Sequence, residues 1–354
     1  MKPVVPLICL AAALALAACA SDSGADGDGS ASPESRTVRV VTHDSFALSE
    51  ELVAEFEESS GISLEFVPAG DAGEMVNRAV LASGNPEADV LFGIDTTLLS
   101  RAIDADVFDP YVSSADDLRP ELRDAGLGVV TPVDDGDVCV NVDDAWFADR
   151  GLEPPVTLED LADPSYRGLL VVQNPATSSP GLAFLLATIA RYGDDWEGYW
   201  QRLRDNDVAV VNGWSEAYLS EFTAGGGGGD RPLVVSYSTS PPAEIVYAED
   251  PKPEQPSTSV MLDGCYRQVE FAGVLRGSSD PQSARVVVDW LVSPQVQADI
   301  PLAMFVFPAR GAVALPEVFE RFVDRPTEPL EISPEEIAAQ RDAWIERWTQ
   351  ITLR

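Results

Sequence analysis

Residues 88–95 read ADVLFGID, a short apolar run that ends in a glycine-containing turn. A strand that is apolar along its length is typical of a parallel sheet covered by helices on both faces. Two further runs of this kind, Val38–Thr42 and Ser63–Val67, precede it, and amphipathic helical patterns separate the three at Glu50–Ser59 and Glu74–Ser83. This alternation of strands and helices predicts a parallel α/β sheet.

The turns after these strands carry polar side chains. His43 follows the first strand, Asp71 precedes the second helix, and Asp95 ends the third strand. In open α/β sheets ligands bind beyond the carboxyl ends of the strands. We therefore expect these residues to share one rim of the first lobe.

Further along, the chain leaves this lobe and later returns to it. Leu127–Val133 and Val138–Val142 are predicted strands, with a turn over 134–137 between them. Gly168–Val172 is a predicted strand of a second lobe, and Tyr266–Gly273 leads back to the first. Two crossings predict a hinged pair of lobes with a cleft between them. The predicted boundaries are 37–133 plus 266–354 for the first lobe and 134–265 for the second.

Two stretches of the second lobe combine aromatic side chains with hydroxyls. Residues 212–218 read NGWSEAY and residues 236–240 read SYSTS, each following an apolar strand. Trp214 and Tyr237 are either core residues or the aromatic wall of a ligand cleft, and the strand-to-helix position of Trp214 favours the cleft.

A predicted helix over 182–192 follows Ser178, Ser179 and Pro180. Hydroxyls followed by proline are typical of a helix N-terminus. The free N–H groups of such a terminus suit an anion or a polar oxygen.

The composition argues against several classes of function. Only one histidine is present, and the chain has no Gly-x-Ser-x-Gly elbow, no zinc-ligand spacing and no Walker loop. We therefore predict a binding protein rather than an enzyme, with no metal and no cofactor. The net charge of −36 argues against nucleic acid or an anionic membrane surface as a partner, because both would repel so acidic a chain.

The N-terminus has the features of a lipoprotein signal. Val4–Ala18 is apolar and ends in Leu-Ala-Ala before Cys19, which resembles the bacterial lipobox. We expect residues 1–19 to be the signal with Cys19 as the lipidated residue, and residues 20–36 to be a flexible acidic tether. The folded part of the chain would then lie outside the cytoplasm, anchored to the cell membrane.

Cys139 and Cys265 remain as a candidate disulfide, since two spare cysteines in an oxidising compartment usually pair.

The ordered motifs resemble the thiamine-binding family among the periplasmic solute-binding proteins of ABC importers. The resemblance runs over nearly all of the mature chain, and GWSEAY at 213–218 with SYSTSP at 236–241 are its most specific parts. It implies a type II two-lobe binding-protein fold of α/β class, in which each lobe is a sheet flanked by helices. It also implies a monomeric receptor that binds thiamine or its phosphates and works with the permease subunits of an importer.

The resemblance implies a role for each candidate residue. Trp214 and Tyr237 would stack on the thiazolium cation, and Asp71 would accept from the pyrimidine amine. The hydroxyl or phosphate end would meet five hydroxyl residues: Ser178, Ser179, Ser238, Thr239 and Ser240. His43 and Phe305 stand where the family has tyrosine and tryptophan, so they would line the cleft with altered chemistry.

Other solutes remain open within the same fold, namely ferric iron, a polyamine or a phosphonate. A surface lipoprotein enzyme or adhesin that has kept the fold is the alternative from another class.

Overall fold

A computed structural model describes residues 36–354. The predicted signal, Cys19 and nearly all of the predicted tether lie outside these residues. Arg36, which the sequence places at the end of the tether, is the first residue of the first strand. None of the helices in 36–354 is both long and apolar enough for a membrane crossing.

The strands in chain order are β1 (Arg36–Thr42), β2 (Ile62–Pro68), β3 (Val90–Asp95), β4 (Phe108–Asp109), β5 (Thr131–Asp143), β6 (Leu170–Gln173), β7 (Ala209–Val211), β8 (Leu233–Tyr237), β9 (Thr258–Leu275) and β10 (Phe307–Pro308).

The helices in chain order are α1 (Glu50–Ser60), α2 (Ala72–Leu81), α3 (Leu99–Asp104), α4 (Pro120–Ala125), α5 (Asp144–Arg150), α6 (Ser179–Tyr192), α7 (Trp196–Asp205), α8 (Trp214–Glu216), α9 (Pro242–Tyr247), α10 (Pro281–Leu291), α11 (Pro294–Ala303), α12 (Glu317–Phe322) and α13 (Pro334–Thr352). Short 3₁₀ turns cover Asp160–Ala162, Pro164–Tyr166 and Gly193–Asp195, and a π-helical turn, Ala217–Glu221, continues α8.

The strands form one sheet in the order β2-β1-β3-β9-β5-β8-β6-β7, with β4 beside β9 and β10 beside β5. The strands β1, β2 and β3 are parallel, as the sequence predicts. The strands β6, β7 and β8 are parallel as well. Between these two sets lie β5 and β9, which run antiparallel to each other and to their other neighbours.

The predicted turn over 134–137 is wrong, because these residues lie within the continuous strand β5. The carboxylates of Asp135 and Asp137 are buried but paired with arginines from other segments. Asp135 contacts Arg119, and Arg267 Nε donates to Asp137 Oδ1 at 2.7 Å. Acidic residues favour turns in a sequence, whereas here ion pairs satisfy them inside a sheet.

The disulfide between Cys139 and Cys265 links β5 to β9. It lies where the pairing of these two strands shifts register, between Val138 and Val140. The two cysteines that remain after the N-terminal segment are thus joined within the structure, at the strands shared by both halves of the sheet.

Candidate ligand-binding cleft

A cavity of about 510 Å³ lies where the two halves of the sheet meet. One side is formed by the turn after β1, the start of α2 and the end of β3, and the other by the starts of α6 and α8 and the end of β8. Central strands β5 and β9 contribute residues between these sides. Seven of the ten predicted binding residues line it: His43, Asp71, Ser179, Trp214, Tyr237, Ser240 and Phe305.

Ser178, Ser238 and Thr239 are not among the residues that line the cavity, and all three are buried. Ser178 is the N-cap of α6 and accepts a hydrogen bond from the backbone N–H of Gly181. Thr239 Oγ1 donates to the carbonyl oxygen of Phe305. Two of the predicted hydroxyls therefore serve the local fold, and the sequence pattern does not distinguish such hydroxyls from those facing a ligand.

Aromatic rings form one side of the cavity, which we call the aromatic wall: Trp214, Tyr218 and Tyr237. The rings of Trp214 and Tyr218 are stacked, with centroids 5.0 Å apart and planes 15° apart. The indole Nε1 donates to Ser236 Oγ at 2.8 Å, which fixes the ring by its polar edge. Tyr218 is a residue that sequence reasoning missed, although its i, i+4 spacing from Trp214 predicts that the two rings meet on one helical face.

Tyr237 lies against the central strand β5. A Cβ atom at Gly136 would come within 2.8 Å of the Tyr237 ring, so glycine at this position allows the ring to lie flat on the strand. Its hydroxyl donates to Gln268 Oε1 at 3.3 Å. Burial raises the pKa of Tyr237 well above its ordinary value, so the phenol stays neutral.

Phe305 lies at the mouth of the cavity in the left-handed backbone region, at φ 55°. The hydrogen bond from Thr239 holds its carbonyl in that conformation. The ring packs near Tyr247, with centroids 5.6 Å apart, and Tyr247 is 70 % exposed. The mouth is therefore apolar, although the tryptophan of the resembled family is absent.

Four carboxyl groups from α2, β3 and the central strands also line the cavity, and we call them the carboxylate wall: Asp71, Asp95, Asp134 and Glu270. Asp95, Asp134 and Asp71 are all buried. Burial raises the pKa of each of these aspartates. Burial also raises the pKa of Glu270 to about 8, and the nearby charges of Asp95 and Asp71 add to this effect.

Asp134 and Glu270 are close enough for their carboxyl groups to be hydrogen-bonded. Two carboxyl groups can share such a bond only while one of them holds a proton. No other donor among residues 36–354 reaches Asp134 Oδ2. Sequence reasoning missed this pair because paired carboxylates carry little information in so acidic a chain.

His43 stands beside this pair, with Nε2 3.5 Å from Glu270 Oε1. Its other ring nitrogen contacts Ser45 Oγ at 2.9 Å. Burial lowers the pKa of His43, so the ring is neutral near pH 7 despite its acidic neighbours. A Cβ at Gly93 would come within 2.4 Å of the imidazole, so the glycine of the turn makes room for it.

Residues 85–326 match the family of bacterial extracellular solute-binding proteins. A thiamine-binding periplasmic protein of Escherichia coli K12 is 32 % identical over 324 residues, which cover 89 % of this chain and 93 % of the relative. The chain belongs to the bacterial extracellular solute-binding proteins.

Solved structures agree with this assignment to the solute-binding proteins. A periplasmic thiamin binding protein matches with a TM-score of 0.77 and 30 % identity, covering 90 % of this chain and 96 % of the other. A ferric binding protein from Campylobacter jejuni has the same fold, with a TM-score of 0.70 at 17 % identity and coverage of 89 % and 99 %. The predicted two-lobe α/β fold with a cleft between the lobes is confirmed.

The solute-binding proteins also include more distant relatives of this chain. Iron uptake protein A2 of Synechocystis is 26 % identical over 325 residues, covering 86 % of each chain. Membership of this extracellular family places the chain outside the cytoplasm, as the sequence predicts.

Proposed function

We propose that this solute-binding protein is a receptor for thiamine that delivers it to an ABC importer. Thiamine combines a flat thiazolium cation with an aminopyrimidine ring and a hydroxyethyl tail. The observation that carries the proposal is that one cavity brings aromatic rings and carboxyl groups together. The stacked Trp214 and Tyr218 line it with the carboxyl groups of Asp71, Asp95, Asp134 and Glu270, and no lysine or arginine lines it.

This arrangement suits a delocalised organic cation. Aromatic faces attract such a cation by roughly 0.5–2 kcal/mol each, more as the site is desolvated. Carboxylates supply the opposite charge, and amines can donate to their oxygens. Relatives named as thiamine-binding periplasmic proteins, in Escherichia coli and in Brucella suis, support the choice of thiamine among organic cations.

The roles of the individual residues in our proposal differ in part from the sequence-based expectation. Trp214, Tyr218 and Tyr237 contact the rings of the ligand. His43, Ser179, Ser240 and Phe305 complete the cleft. Asp71 acts mainly by holding the two sides of the cleft together, because its oxygens already accept from Ser179 N and Trp214 N at 3.1 and 2.9 Å.

Calorimetric titration of the purified protein with thiamine, spermidine, ferric citrate and an alkylphosphonate tests the proposal. Sub-micromolar binding of thiamine and of no other solute in this set supports it. Absence of heat with thiamine, or tighter binding of another solute, would refute it. Among residues 36–354 no group of three or more His, Cys, Asp or Glu side chains is placed to hold a metal ion.

We further propose that the protein is a monomer without catalytic activity, held at the membrane through lipid on Cys19. The lobes would comprise 37–133 plus 266–354 and 134–265, with thiamine bound between them. A Cys19→Ser variant should leave the membrane fraction while retaining thiamine binding. If the variant stays with the membrane, the lipid anchor is wrong, and the binding proposal is unaffected.

A further inference from the structure

We infer that Gly225 and Gly227 are positioning residues, which hold the Tyr218 ring of the aromatic wall in place and thereby contribute to the affinity for thiamine. Both belong to a run of five consecutive glycines, Gly225–Gly229, which we call the glycine run. The run has no side chain with which to contact a ligand, although Gly225 lies at the cavity. The inference rests on the proposed function and adds residues that act through another residue of the same site.

The glycine run contacts the π-helical turn Ala217–Glu221, which carries Tyr218. In this turn Phe222 N donates to the carbonyl oxygen of Ala217, five residues earlier, at 3.0 Å. The helix ends here, so the last carbonyl oxygens of the turn have no further helical turn to which they could bond. The Tyr218 ring stacks on Trp214. The position of the turn therefore determines where the stacked pair of rings lies.

Gly225 and Gly227 lie directly on the backbone of this turn. A Cβ atom added to Gly225 would lie 1.7 Å from the carbonyl oxygen of Tyr218. A Cβ atom added to Gly227 would lie 2.0 Å from the carbonyl oxygen of Leu219. Non-bonded atoms do not approach this closely, so a side chain at either position would have to displace the loop or the turn. Only glycine allows the two segments to lie in contact.

The loop that contains the glycine run is tied to the turn at both ends. Gly225 N donates to the carbonyl oxygen of Phe222 at 3.1 Å, and Arg231 N donates to that of Glu221 at 3.0 Å. The Arg231 guanidinium also donates to the carbonyl oxygen of Gly168, just before β6. Because the loop is held at both ends, an added side chain should displace the turn rather than the loop, and the ring should move with the turn.

Gly228 belongs to the same run but does not contact the turn in this way. Its φ angle is 79°, in the left-handed region. A Cβ atom added to Gly228 would meet no heavy atom within 4 Å apart from its chain neighbours. Asparagine tolerates the left-handed region. The variant Gly228→Asn therefore adds a side chain to the same loop without pressing on the turn, which makes it a matched control.

Calorimetric titration of thiamine into a double-mutant cycle of the full-length protein tests the inference. Gly225→Ala should weaken thiamine binding by about 5-fold or more, and Gly227→Ala should act in the same way. In a Tyr218→Ala background either change should cost less than about 2-fold, because the ring that it displaces is already absent. Gly228→Asn should change the affinity by less than about 2-fold. A merely structural role of the glycines would give equal losses with and without the Tyr218 ring, which would overturn the inference.

Near-ultraviolet circular dichroism of the same proteins tests the position of the ring without a ligand, because it reports the packing of aromatic side chains. Gly225→Ala and Gly227→Ala should change the wild-type spectrum in the bands that Tyr218→Ala changes, and Gly228→Asn should leave them unchanged. Unchanged bands in both alanine variants would overturn the inference. If one of the two variants fails to fold, the other decides. Absence of thiamine binding by the wild-type protein would instead refute the proposed function, and the spectra would still show whether the glycines hold the ring.

Discussion

The two walls of the cleft differ in how they can hold a ligand. The carboxylate wall is buried charge and shared protons, so its attraction acts over several ångströms and depends on pH. The aromatic wall is a set of neutral ring faces, which act only at contact and do not titrate near neutral pH. In our proposal the two walls therefore recognise charge and ring shape separately, although Asp71 links them by accepting from Trp214 N at 2.9 Å.

Removal of the hydrogen-bonded pair Asp134 and Glu270 should have the largest effect on the affinity for thiamine. The double variant Asp134→Asn with Glu270→Gln should weaken thiamine binding by about 2–4 kcal/mol, because it removes buried charge that faces the cation. The same variant should raise the melting temperature, since buried carboxylates with like neighbours cost folding free energy. Calorimetry and thermal unfolding measure the two effects. Unchanged affinity would mean that the carboxylate wall does not contact the cation.

Removal of the main ring of the aromatic wall should have the next largest effect. Trp214→Ala should weaken thiamine binding by about 1–2 kcal/mol through lost stacking, and the loss should be the same at pH 6 and pH 8. Trp146→Ala is the matched control, because Trp146 lies outside the cavity. Equal losses in the two variants would show that Trp214 acts through stability rather than contact.

The pH dependence of thiamine binding should distinguish the contribution of the carboxylate wall from that of the aromatic wall without any mutation. Because burial raises the pKa of Glu270 to about 8, cation binding to its ionised form should strengthen by about 10-fold between pH 7 and pH 9. His43, Asp71, Asp95 and Asp134 face Glu270, and the neutral His43 does not oppose the trend. Affinity that stays flat over this range, measured by calorimetry, would contradict a role for the acid pair.

Stability of the ligand-free protein should change with pH in the opposite direction. The folded-state pKa of Glu270 lies above the ordinary value of 4.5, so the folded state binds this proton more tightly than the unfolded state. The resulting stabilisation is complete below pH 4.5 and is lost as the pH rises through about 8. Chemical denaturation at pH 6 and pH 9, with and without thiamine, checks the sign.

Replacement of Phe305 by a larger ring should have the smallest effect on the affinity for thiamine. Phe305→Trp should strengthen thiamine binding by about 0.5–1 kcal/mol, because indole is the stronger cation-binding face. Phe305→Leu is the comparison that removes the ring, and it should weaken binding by a similar amount. A loss with both variants would indicate that the positive φ at Phe305 leaves no room for indole.

The sequence predicts those parts of the fold that depend on local pattern. The parallel strands of the first lobe follow from apolar runs separated by helical patterns. The hydroxyls before Pro180 also predict the start of α6, but the pattern favours Ser179 as the cap, whereas Ser178 takes that place. The continuity of β5 is not predictable in this way. Asp135 and Asp137 become strand residues only because arginines from distant segments pair with them.

The same limit applies to the cleft. Trp214 and Tyr237 are recognisable because aromatic residues at strand ends are few. Asp134 and Glu270 are more than a hundred residues apart in the chain, and only the pairing of β5 with β9 brings them together. The partners of a hydroxyl likewise depend on the fold, so the sequence does not show that Asp71 and Asp95 already engage Ser179.

The long pairing of β5 with β9 has a consequence for how the chain folds. Thr131 pairs with Ala272 and Asp143 pairs with Thr258, so the centre of the sheet closes only when segments far apart in the chain meet. Pairings of this kind raise contact order, which slows folding. Within the first lobe β3 pairs with β1, but its other edge stays unpaired until β9 is available. The centre of the sheet, and with it both lobes, can therefore be completed only after the chain is available as far as Leu275.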